Sequence, residues 1–211
     1  MNSHKMNSQK RYSLVARFYD ILILRFFGYE IAADYFVKQL PFNTNDNIEV
    51  LDAGAGTGLY SLAILKRFPN AKITAFDLNE ELLTKFREKM EHKELSNRIS
   101  IFIGDILSPL PQNKQFDLVI TGGVLEHVDL DKAAKNLSQY VKSNGYFLNV
   151  GVRNNMIGKI VGSVWCIHTF PKEKVISALS SYNLGFVKYL LLPVRYFFMG
   201  LVKEAYIFKK L

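Results

Sequence analysis

Three glycines stand at alternate positions in Val50-Leu51-Asp52-Ala53-Gly54-Ala55-Gly56-Thr57-Gly58, between a short apolar run and an amphipathic stretch. Without a Cβ the backbone turns tightly there, and a ligand can approach closer than any side chain would let it. Asp52 precedes the first glycine by two places, Asp77 follows Gly58 by 19 residues, and Asp105 comes just after the run Ile99–Ile103. A carboxylate at the end of the second strand of such a unit accepts the hydroxyl hydrogens of a ribose. Any one of these aspartates could be a helix cap and no more. Three at this spacing describe a site for a nucleotide-like ligand. The dinucleotide fingerprint G-x-G-x-x-G does not fit, because Leu59 stands where its pattern would continue and the third glycine is one residue early. No lysine follows the glycines, as a phosphate-cradling Walker loop would require. Further on, Glu126 and His127 follow the run Phe116–Ile120, and a histidine has the acidity for proton transfer near neutral pH.

The elements that must position these residues follow from hydrophobic rhythm. Short apolar runs at Ile48–Leu51, Lys72–Phe76, Ile99–Ile103, Phe116–Ile120 and Tyr146–Val152 alternate with amphipathic stretches at Leu59–Phe68, after Asn79, and from Leu130 to Lys142. Strand–helix alternation of this kind predicts a parallel sheet covered on both faces, a doubly wound α/β fold. The three aspartates then converge at the carboxyl ends of adjacent strands, near the point where strand order reverses. Asn79 is placed to cap a helix with Glu80 and Glu81 in its first turn and Leu82, Leu83, Phe86 and Met90 on its apolar face. Asn144-Gly145 reads as a helix stop. Residues 12–40 read as helical with a kink at Gly28. Thr169 and Pro171 open a last helix carrying Val175, Ile176, Leu179 and Tyr182. The runs Phe186–Leu192 and Val202–Lys209, read with no helix between them, are expected to pair antiparallel as a terminal hairpin.

The chain has 211 residues, 49% hydrophobic and 22% charged, which fits one globular domain with its own core. A lone Cys166 excludes an internal disulfide and a cysteine-based zinc site, and His4, His92, His127 and His168 lack metal-ligand spacing. No run reaches the ~18 apolar residues of a membrane span, and the polar N-terminus argues against a secretory signal. A cytoplasmic setting is expected. The net charge of +8 is uneven: residues 1–50 carry +1, residues 51–150 carry zero, and residues 151–211 carry +7. A basic bias confined to one segment points to an anionic substrate or surface, unless it is only a solvated face.

The glycine loop and its downstream aspartates resemble the class I S-adenosylmethionine-dependent methyltransferases, closely over residues 48–128. The resemblance implies a Rossmann-like doubly wound seven-stranded sheet, mostly parallel with a C-terminal antiparallel hairpin. S-adenosyl-L-methionine is the implied cofactor, with Asp52, Gly54, Ala55 and Gly56 beneath its methionine and ribose. Asp77 with Leu78 would hold the ribose, Asp105 with Ile106 the adenine, and the backbone at Gly122 would line the site. Tyr19-Asp20 and Leu125-Glu126-His127 are similar to the subgroup of ubiquinone and menaquinone biosynthesis methyltransferases, in which Tyr19 would serve a lid over the cofactor.

Residues 1–47 are expected to form a helical lid, 48–152 the cofactor-binding core, and 153–211 the acceptor side. The strand Phe116–Ile120 leads into Thr121-Gly122-Gly123, not the Asn/Asp-Pro-Pro-aromatic sequence of amine methylases, and no second glutamate marks an arginine methyltransferase. With no metal constellation in view, a magnesium-dependent catechol-type mechanism finds no support. Methyl transfer from a sulfonium is an in-line displacement, and alignment alone can contribute roughly 7–11 kcal/mol. His127 and Glu126 are the candidate catalytic residues, and His168 a further candidate base. Each could equally be structural in its loop. Trp165, Phe170 and Tyr196–Phe198 could line a pocket for a small-molecule or lipid-like acceptor, anionic or amphiphilic, with peripheral membrane contact. A non-catalytic cofactor-binding protein and a nucleic-acid methylase are the alternatives, and steep salt dependence would mark the latter.

Overall fold

The computed structural model describes residues 28–111, 114–193 and 196–211. Among them the order is α1 (Tyr29–Val37), β1 (Glu49–Ala53), α2 (Leu59–Arg67), β2 (Lys72–Asp77), α3 (Glu80–His92), β3 (Ile99–Ile103) and β4 (Phe116–Gly122). There follow α4 (Leu130–Ser138), β5 (Val141–Val152), α5 (Met156–Trp165), α6 (Lys172–Ser180), β6 (Leu184–Leu191), α7 (Phe197–Val202) and β7 (Lys203–Lys210). The strands form one seven-stranded sheet in the order β3-β2-β1-β4-β5-β7-β6. β1 to β5 run parallel, and β7 is antiparallel to both its neighbours. Strand order reverses between β1 and β4, so the crevice at their carboxyl ends is where a ligand of this fold binds.

The two sheet faces carry different residues of the same strands. Val50, Ile73, Leu118 and Leu148 pack with α1, α2 and α3. Leu51, Val119 and Phe147 pack on the other face with α4 and α6. Burial on both sides explains why the strands read as continuous apolar runs. Each full burial of such a side chain contributes about 1.5–3 kcal/mol. Caps set the helix starts near the site: Asn79 accepts from the Glu81 and Leu82 N–H groups, and Asp129 from that of Lys132.

At φ 75° Gly28 occupies the left-handed position from which α1 starts, and the part of the expected helix before it, residues 12–27, lies outside the described residues. Two boundaries differ from the sequence expectation. The helix expected from Leu130 to Lys142 ends at Ser138, and Asn144-Gly145 lies inside β5. Asn144 has φ 63° there, and the pairing shifts from Phe116↔Val141 to Leu118↔Tyr146. A left-handed residue serves a helix end and a strand bulge equally well, so the dipeptide alone does not discriminate. The two last strands do pair antiparallel, but the short helix α7 lies between them.

Candidate functional site

The glycine loop leaves β1 and is tied to the end of β2. The N–H groups of Gly54 and Ala55 both donate to the Phe76 carbonyl at 2.9 Å, and the Gly56 N–H donates to Asp77 Oδ2 at 2.8 Å. Lys89 of α3 donates to the Thr57 carbonyl at 3.0 Å. All three glycines have positive φ, but their side-chain faces differ. A Cβ on Gly58 would come within 2.0 Å of the Phe86 ring, whereas one on Gly56 would, among the described residues, meet nothing nearer than Leu82 Cδ1 at 4.0 Å. Gly58 makes room for the core, and Gly56 leaves its face open.

Asp52 lies beneath this loop and is 1% exposed. Its Oδ2 accepts the Ser61 hydroxyl at 2.6 Å, and its buried Oδ1 has no hydrogen-bond partner among the described residues. Burial pushes its pKa up to about 6 against the opposing Ser61 bonds. Because the folded value lies above the unfolded one, the native state holds more protons between pH 4 and 6, and stability falls as pH rises through that window. We therefore expect Asp52→Asn to stabilise the ligand-free chain at pH 7.5 by on the order of 2 kcal/mol. The gain should vanish near pH 4. Thermal melts of both proteins across that range check it, and a gain independent of pH would contradict it.

Asp77 is half-buried at the end of β2, with Oδ1 accepting the Asn79 N–H at 2.9 Å. Burial raises its pKa, and backbone N–H groups of Asn79, Gly56 and Leu78 oppose the rise. Leu78 beside it is 64% exposed, an apolar surface next to a carboxylate. Asp105 is half-buried and accepts the Leu107 N–H through Oδ1 at 2.9 Å. Its turn is pinned by Asn136 of α4, whose buried amide donates to the carbonyls of Ile106 and Ser108 at 2.9 and 2.8 Å. The Ile106 side chain is buried, so its backbone is the part left to face a ligand. Register places Ala53 beside Phe76 and Asp77 beside Ile103, which aligns the three aspartates along one sheet edge. At the end of β4, the Tyr60 ring fills the space where a Cβ on Gly122 would stand, 2.1 Å away.

Beyond β4, a short 3-10 turn carries Leu125–His127. Glu126 is buried, and its Oε1 accepts the Val152 N–H at 2.6 Å. Burial raises its pKa, and the Lys203 ammonium opposes the rise. His127 is exposed, and partial desolvation followed by the Lys203 charge lowers its pKa, which favours a neutral imidazole. Lys203 itself is buried, with its ammonium 5.3 Å from the centre of the Tyr29 ring. Tyr19 and the side chains of Trp165, Phe197 and Phe198 lie outside the described residues. Phe170 packs on the α4–α6 face, Tyr196 against Tyr35 at 6.1 Å, and His168 is exposed. Ser61, Asn136 and Lys203 were not legible as site residues. The only sequence signal was a polar residue on an apolar helix face, which Ser61 and Asn136 share.

A loop open at Gly56, flanked by an orphaned buried carboxylate and by Asp77, is shaped for a ligand with hydroxyl groups. Residues 50–145 match the family model described as a methyltransferase domain. A malonyl-[acyl-carrier protein] O-methyltransferase of Priestia megaterium is 32% identical over 118 residues, 55% of this chain and 41% of the relative. A ubiquinone/menaquinone biosynthesis C-methyltransferase UbiE of Rickettsia bellii is 29% identical over 144 residues, 65% of this chain and 57% of the relative. The chain spans about half the length of these curated relatives. Geranyl diphosphate C-methyltransferase from Streptomyces coelicolor A3(2) superposes with a TM-score of 0.72 at 11% identity, covering 87% of this chain and 81% of that one. At that identity the superposition establishes a shared fold. The matched segment contains the glycine loop and all three aspartates, together with Glu126 and His127.

Proposed function

We propose that the chain transfers a methyl group from S-adenosyl-L-methionine to a small-molecule or lipid-like acceptor. The observation that carries this is the glycine loop, open at Gly56 and hydrogen-bonded to Asp77, above a buried Asp52 with one unpartnered oxygen. Asp77 retains lone pairs for ribose hydroxyls beyond its two backbone bonds. Leu78 offers an exposed apolar surface for a base, Asp105 an acceptor for its amino group, and Asp52 an acceptor for a cationic or hydroxyl group. S-adenosyl-L-methionine would supply the activated methyl group. The chain's own task is to align the acceptor and exclude water. His127, held neutral beside Lys203, can take the proton of an acceptor hydroxyl or carbon acid at a ring nitrogen. Glu126 is turned inward onto β5 and serves as a clasp between the β4 turn and β5.

The names of the relatives support a small or lipid-like acceptor, since they act on malonyl-[acyl-carrier protein] and in quinone biosynthesis. Residues 28–47 and 153–211 are assigned to the lid and the acceptor side. No helix among the described residues is long and apolar enough to cross a membrane. The cytoplasmic setting rests on the single cysteine. Peripheral membrane contact draws less support from the charges than the sequence suggested. Arg153 and Lys172 lie at one end of the sheet, while Lys209 and Lys210 lie at the far end of β7.

Calorimetry with S-adenosyl-L-homocysteine tests the cofactor. We expect saturable binding to the full chain, with no binding of NAD. Labelled S-adenosyl-L-methionine incubated with quinols, carboxylic acids, lipids and RNA then tests the acceptor class. Absence of S-adenosyl-L-homocysteine binding, or transfer to RNA alone, would overturn the proposal.

A further inference from the structure

A cleft of about 260 Å³ opens at the carboxyl end of β5, lined in part by Arg153, Asn154, Asn155, Lys172, Tyr189 and Glu204. Sheet order sets its distance from the glycine loop. At about 4.8 Å per strand, β7 lies roughly 10 Å from β4 and roughly 15 Å from β1. The cleft is thus separate from the edge that carries Asp52, Asp77 and Asp105. It is nevertheless within reach of a molecule whose other end sits over β4.

The charges in the cleft are not balanced from a ligand's point of view. Glu204 is buried, and both its oxygens already accept phenol hydroxyls, Oε2 from Tyr189 and Oε1 from Tyr206, each at 2.6 Å. That carboxylate is committed inward, and burial followed by its hydrogen bonds keeps both phenols protonated. Arg153 donates to the Gly200 carbonyl at 2.7 Å and also hydrogen-bonds the Tyr189 hydroxyl. A guanidinium has five N–H donors, so beyond these two bonds among the described residues its fork has donors for a further acceptor. The Lys172 ammonium sits 4.4 Å from the centre of the Tyr189 ring, a second cation at the same wall. Asn155 helps hold the wall, accepting from the Gly158 N–H and donating to the Leu201 carbonyl. Glu173 also lines the cleft, but it is exposed and therefore screened by solvent.

On the footing of the methyl-transfer reading above, we propose that this cleft binds an anionic group of the methyl acceptor, a carboxylate or phosphate. That group would sit at the end remote from the atom methylated. The volume suits such a group with a few attached atoms, being below the ~300–1,000 Å³ of pockets that enclose a whole drug-sized ligand. Arginine presents a planar fork matched to both anions, and lysine adds a point charge.

The test uses the full chain and two probes, glutarate for the carboxylate and inorganic pyrophosphate for the phosphate, each titrated by NMR. S-adenosyl-L-homocysteine is titrated in parallel by calorimetry. We expect at least one probe to saturate, with resonances at Arg153, Lys172 and Tyr189 shifting. Arg153→Gln and Lys172→Gln should each weaken that probe about tenfold or more. S-adenosyl-L-homocysteine affinity should stay within about twofold of the unsubstituted chain. The probe that binds more tightly identifies the anion. Arg153→Gln removes a contact to Gly200, so melting temperatures are recorded. Lys172→Gln removes a contact to the ring face of Tyr189 and keeps the test decisive if the arginine variant unfolds. Failure of both probes to bind, or equal binding to both variants, overturns the anion site. If S-adenosyl-L-homocysteine also fails to bind, the methyl-transfer reading falls as well.

Discussion

Gly56→Ala is expected to weaken cofactor binding strongly in a chain that keeps most of its stability, and Gly58→Ala to destabilise the fold by several kcal/mol. Both glycines have left-handed backbones, φ 54° and 79°, so alanine costs about 1–2 kcal/mol at either position. The difference lies in what the new methyl group meets. At Gly58 it would overlap the Phe86 ring at 2.0–2.5 Å, in a cluster where Phe86 is fully buried. Overpacking of that kind adds about 1–3 kcal/mol, for a total near 2–5 kcal/mol out of a stability of about 5–15 kcal/mol. At Gly56 the methyl group meets Leu82 only at 4.0 Å and fills the open face of the loop. Stability should drop only by the backbone strain, while affinity for S-adenosyl-L-homocysteine falls by roughly 100-fold as the ligand is pushed outward. Thermal melts and calorimetry on the same two variants read both quantities. Equal stability loss in the two, or intact binding by Gly56→Ala, would show that the loop does not cradle the cofactor.

Asp77→Ala carries the second large effect. The carboxylate binds the Gly56 and Asn79 N–H groups and is the acceptor assigned to ribose hydroxyls. Its removal leaves ligand hydroxyls unpaired at a cost of about 1–3 kcal/mol, which is roughly a 5- to 150-fold loss of affinity. Asp77→Asn keeps one carbonyl oxygen and should fall between the two. The pH response separates the ligand role from a structural one. Burial raises the pKa of Asp77, and only the ionised form accepts at all its lone pairs. Affinity of the unsubstituted chain should therefore weaken as pH falls from 7.5 toward 5. In Asp77→Asn that weakening should shrink. Identical pH profiles would assign the effect to another group.

Local pattern was enough to identify the strands β1 to β4, because each is a short, mostly apolar run bounded by a turn, with β1 and β4 buried almost throughout. The glycine spacing and the three aspartates were legible for the same reason: turn chemistry and position at a strand end are properties of adjacent residues. The Asn79 cap was equally local, and the structure bears it out. Where the expectation failed, one local signal had two uses. Asn144-Gly145 ends helices and also bulges strands, and only the pairing of β5 with β4 selects the second use.

The surroundings of the site were decided in three dimensions. Ser61 reaches Asp52 because α2 crosses back over β1, and Asn136 pins the Asp105 turn from a helix 30 residues away. The inward turn of Glu126 depends on the Val152 N–H at the end of the neighbouring strand, 26 residues on. Charge arithmetic located an excess of +7 in residues 151–211 but not its geometry. Folding buried Lys203, carried Lys209 and Lys210 to the far end of β7, and left Arg153 and Lys172 at one cleft. Sequence alone determined the loop, the carboxylates and the order of most elements, because these follow from neighbours along the chain. Tertiary structure alone decided which polar atoms are satisfied and which cations share a wall, because those depend on strand order and register, which bring residues from distant parts of the chain into contact.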